Sequence, residues 1–257
     1  MTDTGSDQAP AFQLTGLTKQ FGDFTAVDHV DLTVPTGSFY GLVGPNGAGK
    51  TTLLSMGVGL IRPNAGTSSV HGHDLWTDTL AAKTALGVLP ESDFLPRRLT
   101  GSELLTSVGL LRGLSAEVVA ERSAELLRVL DLVDASGTVV ADYSTGMVKK
   151  IALAVALLHG PRVLILDEPL ESVDPVSAST IRTILTGFTA TGGTVVFSSH
   201  VMPLVEALCD HVAILSAGRV IAAGTLDEVR GGRSLDEAFA EQVGSDGSKE
   251  TLSWFAS

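Results

Sequence analysis

Residues Ser38 to Leu60 read SFYGLVGPNGAGKTTLLSMGVGL. The opening SFYGLVG is an apolar run of strand length, and KTTLLSMGVGL has the pattern of a helix, so the order is strand, glycine loop, helix. In the loop between them, Gly44 to Thr52 (GPNGAGKTT), the residues Gly44, Gly49, Lys50 and Thr51 stand at the spacing of a phosphate-cradling loop. Glycines let successive backbone N–H groups curl around phosphates, the lysine reaches the terminal phosphates, and the hydroxyl binds magnesium. An ordinary glycine-rich turn leaves Lys50 unexplained, because a positive charge at a helix start opposes the macrodipole unless an anion is present. Gly44, Pro45, Asn46, Gly47, Ala48, Gly49, Lys50, Thr51 and Thr52 are therefore the candidate nucleotide-binding residues.

Two further strands end in polar residues. RVLILDEP, Arg162 to Pro169, is apolar until Asp167 and Glu168. Two adjacent carboxylates at a strand end are costly without a cation or protic partner, and magnesium and water supply both. On this reading Asp167 and Thr51 are metal ligands and Glu168 polarises an attacking water as general base; a helix-capping acid pair is the bland alternative. GTVVFSSH, Gly193 to His200, brings His200 to the tip of a neighbouring strand, where it would contact the terminal phosphate and the water. ADYSTGMVKK, Ala141 to Lys150, opens a second apolar helix at Ser144 and Gly146. This helix start offers unpaired N–H groups to an anion but carries no lysine of its own.

FQLTGLTKQF and AVDHVDLTV predict two early strands around a turn at Gly22 and Asp23, and VAILSAGRVIAAG predicts a hairpin around Ala217 and Gly218. Thr100 with Glu103, Thr225 with Glu228 and Ser234 with Glu237 have capping-box spacing, and Asp174 with Pro175 forms an N-cap and N1 pair. Strands alternating with helices imply an α/β core with a mostly parallel sheet. From about residue 92 to 160 two helical segments follow each other without a strand, a helical insertion.

The chain has 257 residues, 44% of them hydrophobic, enough for a sizeable core. Its one cysteine, Cys209, excludes an intramolecular disulfide and reads as a core thiol. The polar, acidic start lacks the pattern of a signal peptide. No apolar run approaches the roughly 20 residues of a membrane span, so a membrane role requires a partner chain. A net charge of -12 argues against broad binding to nucleic acid. His71 and His73 have i, i+2 spacing but no accompanying cysteine or acid cluster, and read as a solvated strand edge.

With these motifs in order, the sequence from about Phe12 to Gly224 resembles the ATP-binding subunit of ABC transporters, and GVLPE, YSTGM and FSSHVMPLVEALCDHVAIL look most like the drug-exporter branch. The resemblance implies the ABC ATPase fold: a P-loop NTPase core, an N-terminal antiparallel β subdomain and the helical insertion. It implies a flexible start at 1–11, an ATPase domain at 12–230 and a C-terminal helix and tail at 231–257. Phe21 matches the aromatic that stacks on adenine, Gly44 to Thr52 the Walker A loop, and Asp167 and Glu168 the Walker B acids. Tyr143 to Met147 falls on the signature motif, Asp174 on the D-loop aspartate, and His200 on the switch histidine.

Four positions, in three motifs, depart from the wider family. Glu91 stands at the Q-loop glutamine and still offers oxygen to magnesium or water, but it adds negative charge near the nucleotide and cannot donate. Thr145 replaces the first signature glycine, with Met147 at the glutamine, and Glu171 stands where a small neutral residue is usual. Under the resemblance Ser144 and Gly146 close over ATP held by a second subunit, so the signature helix start is half of a site. The implied assembly is a pair of ATPase subunits with bound ATP and Mg2+, at the cytoplasmic face of the cell membrane on a separate permease, driving efflux of a drug, lipid or other small molecule. The segment from Glu91 to Leu99 would meet that permease. The rival readings are an ATP-gated regulatory module with little turnover, a soluble ABC ATPase acting on nucleic acid or ribosomes, and a P-loop kinase.

Overall fold

The computed structural model describes residues 9–89 and 95–243. Glu91 and the stretch GSDGSKETLSWFAS therefore lie outside the described residues. β1 (Phe12–Phe21) and β2 (Phe24–Val34) pair antiparallel across the Gly22–Asp23 turn, with Phe21 opposite Phe24. β3 (Phe39–Val43) then leaves for a second sheet, while β4 (Ala65–Val70) and β5 (His73–Asp74) return to complete the first, ordered β2-β1-β4-β5. β4, AGTSSV, carries little intrinsic strand signal and is held by its pairing with β1, a tertiary effect that its small polar residues do not announce. His73 is on the exposed edge strand as expected; His71 is half-buried, and its Nε2 is buried without a hydrogen-bond partner.

The second sheet adds β6 (Leu86–Leu89), β7 (Val163–Leu166), β8 (Thr194–Ser199), β9 (His211–Ser216) and β10 (Arg219–Thr225) in the order β10-β9-β3-β8-β7-β6. It is parallel except for the β9–β10 hairpin. Both of its faces are covered, which is why its central strands read as unbroken apolar runs. Alternation divides each strand between two cores. Leu164, Leu166, Val195 and Phe197 face the helices, whereas Val163, Ile165 and Val196 face the antiparallel sheet and α1 (Lys50–Gly57).

After α2 (Thr79–Ala85), the insertion supplies α3 (Gly101–Leu111), α4 (Ala116–Val129) and α5 (Thr145–Leu157). α6 (Pro175–Ala190) starts on the Asp174 cap, whose carboxylate accepts from the amides of Val176 and Ser177. α7 (Met202–Leu208), α8 (Leu226–Arg230) and α9 (Leu235–Val243) close the described chain. The three capping boxes form with reciprocal bonds, at Thr100–Glu103, Thr225–Glu228 and Ser234–Glu237. Leu235 and Ala238 of α9 are fully buried, and the Leu235 amide donates to Glu206 on α7. Cys209 is a buried core thiol, its ionisation pushed far above the ordinary range by burial.

Candidate phosphate-binding and hydrolysis site

β3 stops at Val43 and the chain turns through Gly44 to Gly49 into α1. Gly49 has φ 102, and a Cβ on it would sit 2.5 Å from the carbonyl oxygen of Ala26, so glycine is required there for both conformation and space. No side chain caps the start of α1, which leaves its first amides facing the loop. The Lys50 side chain is buried; its Nζ donates to the carbonyls of Gly44 at 2.8 Å and Pro45 at 3.3 Å and lies 3.5 Å from Glu168 Oε1.

The loop is clamped from behind by the β9–β10 turn. The Gly218 amide donates to the Ala48 carbonyl at 2.9 Å, and the Gly218 carbonyl accepts from the Asp28 amide at 2.9 Å. Arg219 Nε holds the Asp28 carboxylate at 2.9 Å, and His29 and Arg219 together keep that carboxyl below its ordinary range.

In front of the loop lies a cavity of about 470 Å³. It is lined by residues Asn46 to Thr52, by Phe24 and Ala26 of β2, and by Glu168 and Glu171. Asp167 and Glu168 follow β7 directly. Asp167 is 6% exposed, and its Oδ1 accepts the Ser198 hydroxyl at 2.5 Å. Glu168 has φ 45, a left-handed conformation unusual for a residue with a side chain. Its amide donates to Ser198 Oγ at 2.8 Å, its carbonyl accepts from Lys149 Nζ at 2.9 Å, and its Oε1 is 3.3 Å from His200 Nδ1. Glu168 also forms part of the wall of a second cavity of about 290 Å³ with Leu170, Ser199, His200 and Leu204.

The structure thus brings Lys50, Thr51, Thr52, Glu168 and His200 together, with Asp167 directly beneath. Four of the other sequence candidates, Ser144, Gly146, Asp174 and Phe21, fall elsewhere. Ser144 is the exposed N-cap of α5, its Oγ accepting from the Met147 amide, and no residue of α5 lines the phosphate-loop cavity. Gly146 packs on the start of α6, beside Asp174 and Ser177. Phe21 lies under the Lys19 ammonium, 5.2 Å from it to the ring centroid, and the aromatic in the cavity wall is Phe24. The sequence reading passed over Phe24, Ser198 and Lys149. Phe24 sits opposite Phe21 across a two-residue turn, so pairing alone could have suggested it; the other two contacts join residues far apart in the chain.

A parallel sheet feeding a glycine loop and a helix start, with a buried lysine and two acids at the neighbouring strand end, defines the class of P-loop nucleotide-binding proteins. Residues 27–171 match the model of a family described as ABC transporter. The chain is 36% identical over 234 residues to the daunorubicin resistance ATP-binding protein DrrA3 of Streptomyces coeruleorubidus, covering 90% of this chain and 74% of that one. It is 37% identical over 217 residues to the Nod factor export ATP-binding protein I of Cupriavidus metallidurans, covering 84% and 72%. A solved ATP-binding subunit of an ABC transporter superposes with a TM-score of 0.84 at 30% identity, covering 91% of this chain and 99% of that one. The protein belongs to the ABC transporter family and is one of its ATP-binding, ATP-hydrolysing subunits.

Proposed function

We propose that two copies of this chain, or this chain and a close homologue, close around two ATP molecules and power a separate membrane permease at the cytoplasmic face of the membrane. The direction would be efflux, of a drug, lipid or other small molecule, as the names of the relatives suggest for those proteins. Among the described residues no helix is long and apolar enough to cross a membrane, so transport would belong to the partner. The domain that does this work is residues 12–230, with residues 92–160 inserted, residues 1–11 ahead of it and residues 231–257, including α9, following it.

One observation carries the reading. The cavity that gathers Lys50, Thr51, Glu168 and Glu171 receives nothing from α5, while the start of α5 leaves Ser144 and Thr145 exposed. The Ser144 hydroxyl accepts from Met147 and keeps its own proton to donate outward. Each chain would then contribute a phosphate loop to one ATP and a signature helix start to the other.

Within one site, Lys50 and the loop amides hold the terminal phosphates. Glu168 takes a proton from the attacking water as its oxygen bonds to the γ-phosphorus and the bond to the β–γ bridging oxygen breaks. His200 holds the Glu168 carboxylate. Phe24, in the cavity wall, offers its ring face to the base, Phe21 adds to it from across the turn, and Asp174 tethers the start of α6 beside Gly146. The donor set fits magnesium: Thr51 and Asp167 supply hard oxygens, and Asp167 is a buried carboxylate with one oxygen committed to Ser198. When bound, the ion would neutralise phosphate charge. Glu91, the third oxygen donor proposed for it, lies outside the described residues.

Glu168→Gln should abolish hydrolysis, retain ATP affinity, and run at twice the monomer mass in light scattering with MgATP. A variant that binds ATP yet stays monomeric at high protein concentration would sink the paired-site reading.

A further inference from the structure

Glu168 adopts its left-handed backbone at φ 45, a conformation that persists only where neighbours hold it. The two peptide groups that flank it are gripped by side chains from different elements. Ahead of it, Ser198 of β8 accepts the Glu168 amide at 2.8 Å while donating to Asp167 at 2.5 Å. Behind it, the Lys149 ammonium of α5 donates to the Glu168 carbonyl at 2.9 Å. The Glu171 amide approaches the same carbonyl at 3.3 Å.

Lys149 is 8% exposed. Burying an ammonium is costly, and an apolar side chain of similar length would fill the same space without that cost. Its bond to the Glu168 carbonyl is one of the contacts that hold the charge there. Lys149 stands five residues beyond the Ser144 cap on one continuous helix, about 7.5 Å along the axis. The helix that would meet ATP in the partner subunit thus also grips the backbone of the acid in its own site.

We infer that Lys149 is a positioning residue for Glu168: its bond to the Glu168 carbonyl fixes the strained peptide that aims the carboxylate at the attacking water. This rests on the reading of Glu168 as general base. It makes the aim of that base depend on where α5 lies.

The test is steady-state and single-turnover hydrolysis by the full chain, with ATP affinity measured separately by fluorescent-nucleotide titration, for Lys149→Met, Lys149→Arg, Glu168→Gln and the Met/Gln double variant. Misaiming a reacting group by about 1 Å costs on the order of 100-fold. Lys149→Met should therefore lose about 10- to 100-fold in kcat, with KM and ATP affinity unchanged within about twofold. Lys149→Arg, which keeps a donor of similar reach, should recover most of the rate, and the double variant should be no slower than Glu168→Gln alone. Lys149→Ala, which leaves space in place of a new side chain, should show the same split if the Met variant does not fold. An inactive Glu168→Gln beside a Lys149→Met of normal kcat overturns the role of Lys149. So does a Met variant that loses ATP affinity in step with rate, or an Arg variant no better than Met. An active Glu168→Gln overturns the base assignment itself, and this inference with it.

Discussion

Gly146 has no room for a methyl group. A Cβ there would lie 2.7 Å from Asp174 Oδ2 and 2.8 Å from Ser177 Oγ, closer than side-chain carbons come to such atoms. The sequence alone presents this glycine as a surface for a phosphate, so that a bulkier residue should block only the neighbouring subunit's ATP. The structure adds a collision inside the chain, against the cap of α6. Gly146→Ala should accordingly lower ATP hydrolysis at least tenfold while leaving ATP binding to the monomer unchanged, as read by phosphate release and nucleotide titration. A second prediction concerns the base. Stacking is worth about 1–3 kcal/mol per base. Phe24→Ala should weaken ATP binding by at least about 1 kcal/mol, and Phe21→Ala by less because its ring is already engaged by Lys19. Equal losses in the two titrations would put the base on the turn between them. The motif residues were legible because their chemistry is local: glycine at Gly49, lysine at Lys50, acids at a strand end. Ser198 and Lys149 were not, since a serine and a lysine become informative only once folding brings them to Glu168.

At the scale of elements, legibility followed the same division. Helix starts were read correctly where a hydroxyl and a glutamate stand three apart, because the cap is satisfied within four residues. β4 and β6 were missed: one is small and polar, the other only four residues long, and each exists through its neighbour. α7 was missed because its N-cap, Val201, has no side chain that can cap it and the helix has only seven residues. Loss of an N-cap hydroxyl costs about 1 kcal/mol. Thr100→Ala should lower global stability by that amount in urea melts without changing ATP affinity, since α3 packs inside the insertion and away from the phosphate loop.

For the molecule as a whole, His159 joins two of its parts. It follows α5, and its Nε2 meets the Leu86 carbonyl of β6 at 3.1 Å. Burial, with Arg112 and Arg122 nearby, pushes its imidazole down to about 4. The ring is then neutral in the fold and takes up a proton on unfolding whenever the pH lies between about 4 and its ordinary value near 6.5. Stability held at neutral pH is thus lost as pH falls through that window, by on the order of 2 kcal/mol. His159→Gln, which keeps a donor for Leu86, should flatten the difference between urea melts at pH 7.5 and pH 5. The tagged chain extracted from membranes in mild detergent should bring a polytopic membrane protein with it, and recovery without one would remove the transport assignment. The turn at Ala217 and Gly218 carries a final consequence. Its amide closes on Ala48 while its carbonyl receives Asp28, so the back of the phosphate loop is bolted to both sheets. Tightening that loop on a ligand should slow deuterium uptake at Gly218, giving an isotopic clock for occupancy at a residue that does not line the cavity.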